Sequence, residues 1–272
     1  MSAPTKPSAR RIHYEEPLLN RSLARGAEVL RAFGSGADLM GNGEIAERTG
    51  LSRTTVSRLT QTLVESGFLE HDRGQRAYRL GAALLSLGHA MRTGSPVLRT
   101  VGPLMHRLAE KMRINAGLAT PDRDEMIYLE SVRYNRRVAL RNVVAGQRVP
   151  IELTSLGRAY LTIADPLRRA DLMAHFAARR GDEWPRIESE IGEARQSIAD
   201  HGYCVATWQT DVVALSAPLL LSGSPLYVLN VSVTTTASPK EVVETLAGPL
   251  LDLRDRALSA MAEVHGVQGV IA

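Results

Sequence analysis

The chain has 272 residues, of which 44% are hydrophobic and 23% charged, with a formal net charge of +4. That length leaves room for two domains, and no stretch approaches the roughly 20 apolar residues of a membrane span. One cysteine, Cys204, excludes an internal disulfide framework, so the expectation is a soluble, cytoplasmic protein with no membrane partner.

Residues 1–19 carry Lys6, Arg10 and Arg11 among Ser, Pro and Ala, and are read as a disordered arm without a signal-peptide pattern. Ser22 is predicted to cap a first helix whose apolar residues are Leu23, Ala27, Leu30 and Phe33, with Gly34, Ser35 and Gly36 ending it. A second short helix follows, with Ile45 and Ala46 on its apolar side. Gly50 then supplies a left-handed turn and Leu51 fills the angle before a third helix. Ser52 stands at that helix's N-cap, and Val56, Leu59 and Leu63 follow at the spacing of one face. The outward side then carries Arg53, Thr54, Thr55, Ser57, Arg58 and Gln61, with no acid among them. Such a face suits phosphate oxygens and base edges, with Arg58 placed for a bidentate contact to guanine. After Gly67 the chain runs through Phe68 and Leu69, turns near Arg73 and Gly74, and returns through Arg76, Tyr78 and Arg79. This basic hairpin is expected to be a wing against backbone phosphate, with Arg73 and Arg76 as contacts. Charge agrees: residues 1–94 hold 13 Lys or Arg against 9 Asp or Glu, whereas residues 95–272 hold 20 of each, the footprint of a nucleic-acid reader joined to a domain with another task.

Residues 81–94 read as a connecting helix in which Leu84, Leu87 and Met91 form an apolar stripe able to pair with a second copy. Val97–Met112 reads as helix. Ala116–Thr120 and Met126–Val132 read as strands about a turn at Pro121–Asp124, and Val138–Val144 as a further strand. A loop through Gly146 and Pro150 leads to a helix capped by Thr154 or Ser155, whose first N–H groups lack intrahelical acceptors and favour an anion. Helices at 166–179 and 187–200 and strands at 203–207, 212–221 and 226–235 follow. Ser238-Pro239-Lys240-Glu241 then forms a capping box that opens a C-terminal helix. The expected architecture is α+β, an antiparallel sheet with helices on one side.

Residues 21–33, 44–70 and 78–88 resemble the N-terminal region of the IclR family of bacterial transcriptional regulators. GQRVPIELTSLGRAYL at 146–161, HGYCV at 201–205 and ALSAPLLLSGSPLYVLNVSV at 214–233 are similar to that family's effector domain. The resemblance implies four regions: an arm at 1–19, a winged helix-turn-helix at 20–80, a connector helix at 81–95, and a GAF-like α/β effector-binding domain at 96–272. It further implies a homodimer or dimer of dimers on double-stranded operator DNA, controlled by a small organic or aromatic acid, with no cofactor. Carried over by position, the ligand would meet Val138, Ser155, Leu156, Ala206, Val212, Ala214, Asn230 and Ser232. Ala214 stands where many members have Cys, and Asn230 where Ser is common. The segment before Ala214 holds Trp208 and one acid, Asp211, a lining that favours a larger or aromatic ligand.

The rival reading is a metabolic enzyme acting on a small carboxylic acid with a DNA-binding domain appended. The chain contains no HExxH, GxSxG or P-loop motif and no paired Cys or His ligands. His175 and His201, or Asp211, Arg148 and Ser155, can be drawn together as catalytic groups, but no spacing supports either set.

Overall fold

The computed structural model describes residues 20–34, 39–134, 144–220 and 225–264. The arm at 1–19, the first turn at 35–38 and residues 138–143 of the expected strand, Val138 included, lie outside them. The chain divides into two compact units between Gly88 and His89.

In the first unit, α1 (Arg21–Ala32), α2 (Asn42–Thr49) and α3 (Arg53–Glu65) precede a hairpin of β1 (Leu69–Asp72) and β2 (Ala77–Leu80). Asn20, not Ser22, caps α1, its side chain accepting the Ser22 and Leu23 N–H groups at 3.1 and 3.0 Å. The helix therefore starts before Ser22, and its inner face turns accordingly. Gly26, Val29 and Phe33 are buried, while the expected core residue Leu23 is 74% exposed. Gly50 closes α2 at φ 67°, and Ser52 caps α3 by accepting the Thr55 N–H at 3.3 Å, both as predicted. Val56 is buried and Leu59 and Leu63 are half-buried. A polar residue, Thr60, is fully buried with them: its hydroxyl reaches the Val56 carbonyl at 3.0 Å and Asn42 Oδ1 at 3.3 Å, which joins α3 to α2. Burying a hydroxyl is tolerable because the i−4 carbonyl satisfies it. Helix α4 (Ala83–Gly94) has no buried residue; Leu85, Leu87 and Met91 are exposed and Leu84 is half-buried.

The second unit contains α5 (Pro96–Met112), β3 (Asn115–Asp122), β4 (Glu125–Val132), β5 (Arg148–Pro150), α6 (Ser155–Ile163), α7 (Pro166–Arg180), α8 (Trp184–His201), β6 (Cys204–Gln209), β7 (Val212–Leu219), β8 (Tyr227–Thr234) and α9 (Pro239–Val264). Among the described residues the strands form one antiparallel sheet in the order β5-β4-β3-β8-β7-β6. The expected loop at 146–150 thus contributes a short edge strand. Arg148 fastens it by ion pairs to Asp122 and, at 2.9 Å, to Glu125.

Helices cover both faces of the sheet, which corrects the one-sided expectation. On one face Leu215, Ala217, Leu229 and Val231 pack with α5 and α9 around Met105 and Leu250. On the other, Ala119, Met126 and Val228 pack with α6, α7 and α8 around Leu156, Phe176 and Ile187. The capping box forms as predicted, with Glu241 accepting the Ser238 N–H at 2.8 Å. Glu152 is buried before α6, its Oε1 accepting from Arg179 at 3.0 Å and from Arg180 Nε at 2.8 Å. These two arginines offset the cost of desolvating its charge and tie the end of α7 to the start of α6.

Gly157 fixes where α6 sits. A Cβ there would stand 2.1 Å from the Ile151 carbonyl oxygen and 2.2 Å from Ile151 Cα. Backbone cannot yield as a side-chain tip does, so Gly157→Ala is expected to lower stability by about 3 kcal/mol, the upper end of overpacking costs. Urea denaturation of both proteins checks this; an unchanged midpoint would show that α6 has room to shift.

Candidate functional site

Two surfaces in the described chain gather chemistry. In the first unit, Thr54, Arg58 and Gln61 share one exposed side of α3, where spacings of three and four residues bring side chains together. Arg53 and Ser57 are exposed beside them, and Ser52 and Thr55 are joined through their hydroxyls at 2.9 Å in the cap. The residues selected from sequence therefore lie together on one helix. A groove of about 840 Å³ runs along this side, lined also by Asn20, Ser22, Leu23 and Arg25 of the α1 region. Arg25 is a cation that helix periodicity alone did not single out.

On the hairpin, Asp72 accepts the Gln75 N–H at 3.0 Å and pairs with Arg79 at 2.9 Å. The Gln75 hydrogen bond first, and Arg79 after it, hold the Asp72 carboxyl below its ordinary value. Arg79 is thereby partly neutralised. Arg73 and Arg76 are exposed in the turn between the strands, Arg76 at φ 52°, and no carboxylate among the described residues pairs with either.

In the second unit a cavity of about 640 Å³ opens on the α6 side of the sheet. Ser155, Leu156, Ala206, Val212, Ala214, Asn230 and Ser232 all line it, so seven of the eight residues expected there are brought together; Val138 lies outside the described residues. Register explains the convergence. Asn115 pairs with Ser232, Ser232 with Ala214, and Ala214 with Ala206. This row of small side chains on one sheet face forms a broad floor. The start of α6 is anchored over it: the Ser155 and Ser216 hydroxyls are 2.8 Å apart, and Thr154 Oγ1 caps the Gly157 N–H at 3.2 Å. The N–H groups of Ser155 and Leu156, at the first two helical positions, have no acceptor within the helix and share its positive end.

Several lining residues were not selected from sequence: Tyr128, Arg133, Trp208, Gln209 and Thr210 among them. Burial pushes the Tyr128 hydroxyl up to about 12, against smaller opposing effects of the Asn230 amide and Arg133, so it stays protonated and able to donate. Asn230 is 4% exposed, and its Oδ1 has no hydrogen-bond partner among the described residues. Gly117 permits this arrangement: a Cβ there would be 2.2 Å from Asn230 Oδ1 and 2.6 Å from Tyr128 Cε1. A lone Gly inside a strand pattern was the available signal of such a close approach.

The rival catalytic groupings are not assembled. Ser155 faces Ser216, Arg148 is held by Asp122 and Glu125, and neither Arg148 nor Asp211 lines the cavity. His175 lies 3.6 Å from Asp124, and His201 is beside Tyr203. Among the described residues there is no group of three or more His, Cys, Asp and Glu able to hold a metal, and no helix is long and apolar enough to cross a membrane.

Known proteins match over nearly the whole chain. The family model for the IclR helix-turn-helix domain covers residues 22–73, and that for the bacterial transcriptional regulator IclR C-terminal region covers residues 89–255. The HTH-type transcriptional regulator TsaQ1/TsaQ2 of Comamonas testosteroni is 31% identical over 237 residues, covering 86% of this chain and 85% of that one. The crystal structure of an IclR family transcriptional regulator from Brucella abortus superposes with a TM-score of 0.82 at 32% identity, covering 94% of this chain and 99% of that one. An IclR homolog from Microbacterium hydrocarbonoxydans, complexed with 4-hydroxybenzoate, shares the fold with a TM-score of 0.67 at 23% identity, covering 89% and 99% of the two chains.

Cys204 is fully buried, its thiol is pushed up to about 12 by burial, and it touches the Ser155 carbonyl at 3.3 Å. Since the thiolate is the reactive form, Cys204 in the native protein is expected to resist a disulfide reagent at pH 7–8 and to react at once in denaturant. Rapid labelling of folded protein would show that the strand pair around it opens readily.

Proposed function

Because this chain belongs to the IclR family of bacterial transcriptional regulators, we propose that its α3 face reads operator DNA and that an aromatic or other organic acid in the second-unit cavity sets its DNA affinity. The observation that carries the first half is the outer side of α3 from Arg53 to Gln61, which holds no acid and sets Arg58 between Thr54 and Gln61, beside a wing whose turn presents Arg73 and Arg76. A recognition helix in the major groove reads base edges, while wing cations meet phosphate and set affinity without sequence preference. Arg53, Thr55, Ser57 and the Ser52 cap complete the surface, and Arg25 of α1 adds a further phosphate contact.

The cavity supports the second half. Ala206, Ala214 and Ser232 leave a floor wide enough for a ring, Tyr128 and Asn230 offer a donor and an acceptor, and the N-terminus of α6 faces anionic oxygens. The 4-hydroxybenzoate held by the Microbacterium homolog is a ligand of this chemistry. A single recognition helix reads one half-site, so the working unit is a homodimer. The exposed Leu85, Leu87 and Met91 of α4, with Leu84 half-buried beside them, are the apolar surface for pairing with a second copy. Ligand changes DNA affinity only by favouring one arrangement of the dimer over another.

Two substitutions separate the roles on α3 and the wing. Arg58→Ala is expected to cost about 1–3 kcal/mol on the operator and to relax preference at one base position, whereas Arg73→Ala weakens specific and random DNA alike and lowers the salt slope by about one. Competition binding against single-base operator variants, over a salt series, reads both effects. Equal losses on specific and random DNA for both proteins would refute the division.

A further inference from the structure

Among the described residues that line the second-unit cavity, Arg133 is the one charged side chain and none is a carboxylate. It follows β4 directly, one residue beyond the Ala116–Val132 pair, while α6 is seated on β7 through Ser155 and Ser216. The cavity therefore carries two positive features of different strength. The α6 N-terminus presents N–H groups worth about half an elementary charge, and these donate to any hydrogen-bond acceptor, neutral or anionic. The guanidinium is a full, permanent charge with a planar fork that matches an oxyanion. Partial burial pulls its pKa below the ordinary arginine value, the sign of a cation already removed from some of its water, and the adjacent Tyr128 acts in the opposite direction. A charge in that setting gains more from an anionic partner than a surface arginine does.

We propose that Arg133, rather than the start of α6, is what makes this cavity select anions: its guanidinium takes the ligand's acid group, and the α6 N–H groups and Tyr128 hold the remaining polar atoms. The assignment rests on the acid-ligand reading given above. Arg133 is in this sense a specificity-determining residue, and ligands that lack the negative charge forgo the pairing that an acid makes with it.

Calorimetric titration of the full chain with 4-hydroxybenzoate and with its uncharged counterpart 4-hydroxybenzamide, for wild type, Arg133→Gln and Arg133→Lys, tests the assignment. Wild type is expected to prefer the acid by about 10- to 100-fold, the range of one charge-assisted hydrogen-bonded pair. Arg133→Gln should erase that preference by weakening the acid while leaving the amide within about threefold, and Arg133→Lys, which keeps the charge but loses the fork, should keep only part of it. All three proteins should share one thermal midpoint. An Arg133→Gln protein that still prefers the acid overturns the assignment and returns anion selection to α6. Equal loss of both ligands together with a lowered midpoint also overturns it, by showing a structural role. Wild type that binds acid and amide equally refutes this inference alone, whereas wild type that binds neither these compounds nor any other benzoate or benzamide refutes the acid-ligand reading and this inference with it.

Discussion

The second unit is organised by one close approach, that of the first turn of α6 to the backbone at Ile151. With hydrogen alone at Gly157, the helix can settle onto the preceding segment, and Ser155 comes within 2.8 Å of Ser216 on β7. That contact does two things at once. It closes the α6 side of the core, where Leu156 and Ala159 pack with Phe176 and Ile187, and it aims the first N–H groups of the helix over a floor of Ala and Ser. Polar groups that would otherwise cost free energy when buried, the hydroxyls of Ser155 and Ser216 and one carboxylate oxygen of Glu152, each find partners in the same region. A packed scaffold around a small-residue floor is a pre-organised site, which lowers the ordering cost of binding.

The first unit is stabilised differently. Its core is small, centred on Val29, Met40, Ile45, Val56 and Leu69, and specific polar ties supplement it: Arg48 to the Ala32 carbonyl at 3.1 Å, Thr60 to Asn42, and the Ser52 cap. Those ties spend polar side chains on internal geometry and leave Arg53, Arg58, Arg73 and Arg76 without carboxylate partners among the described residues. Arg79, held by Asp72, shows the contrast within a single hairpin. A regulator needs both properties, since a rigid helix sets the register of its base contacts and cations not committed to internal pairs supply the salt-dependent attraction.

Where the cause of a structural feature is local, the amino-acid sequence displays it. Gly50, Ser52 and the Ser238–Glu241 box are signals confined to four or five residues, and each takes the role its chemistry demands. Expectation and structure part where two local solutions compete or where the cause is distant. Asn20 and Ser22 are both good caps, and only packing of Val29 and Phe33 decides for Asn20. Thr60 reads as surface because a hydroxyl satisfied by its own helix leaves no trace in periodicity. Helices on both faces of the sheet are signalled by the apolar run ALSAPLLL at 214–221, since a strand covered on one side alternates and one covered on both does not. Arg133 is hidden because it stands among Arg136, Arg137 and Arg141 in a basic stretch that looks like solvated surface; its place in the cavity depends on sheet register, which no short motif encodes.

Fluorescence anisotropy of the full chain on DNA from upstream of its own gene and on a scrambled fragment, across a salt series and with and without a mixture of hydroxybenzoates, tests the coupling of reader and cavity most directly. A ligand-controlled operator-binding protein is expected to prefer the upstream fragment and to lose affinity steeply with salt. The acids should shift its affinity by about 5- to 150-fold, the usual span of coupling between two sites. Weak binding to both fragments alike, unmoved by the acids, would contradict that coupling and the regulator reading with it.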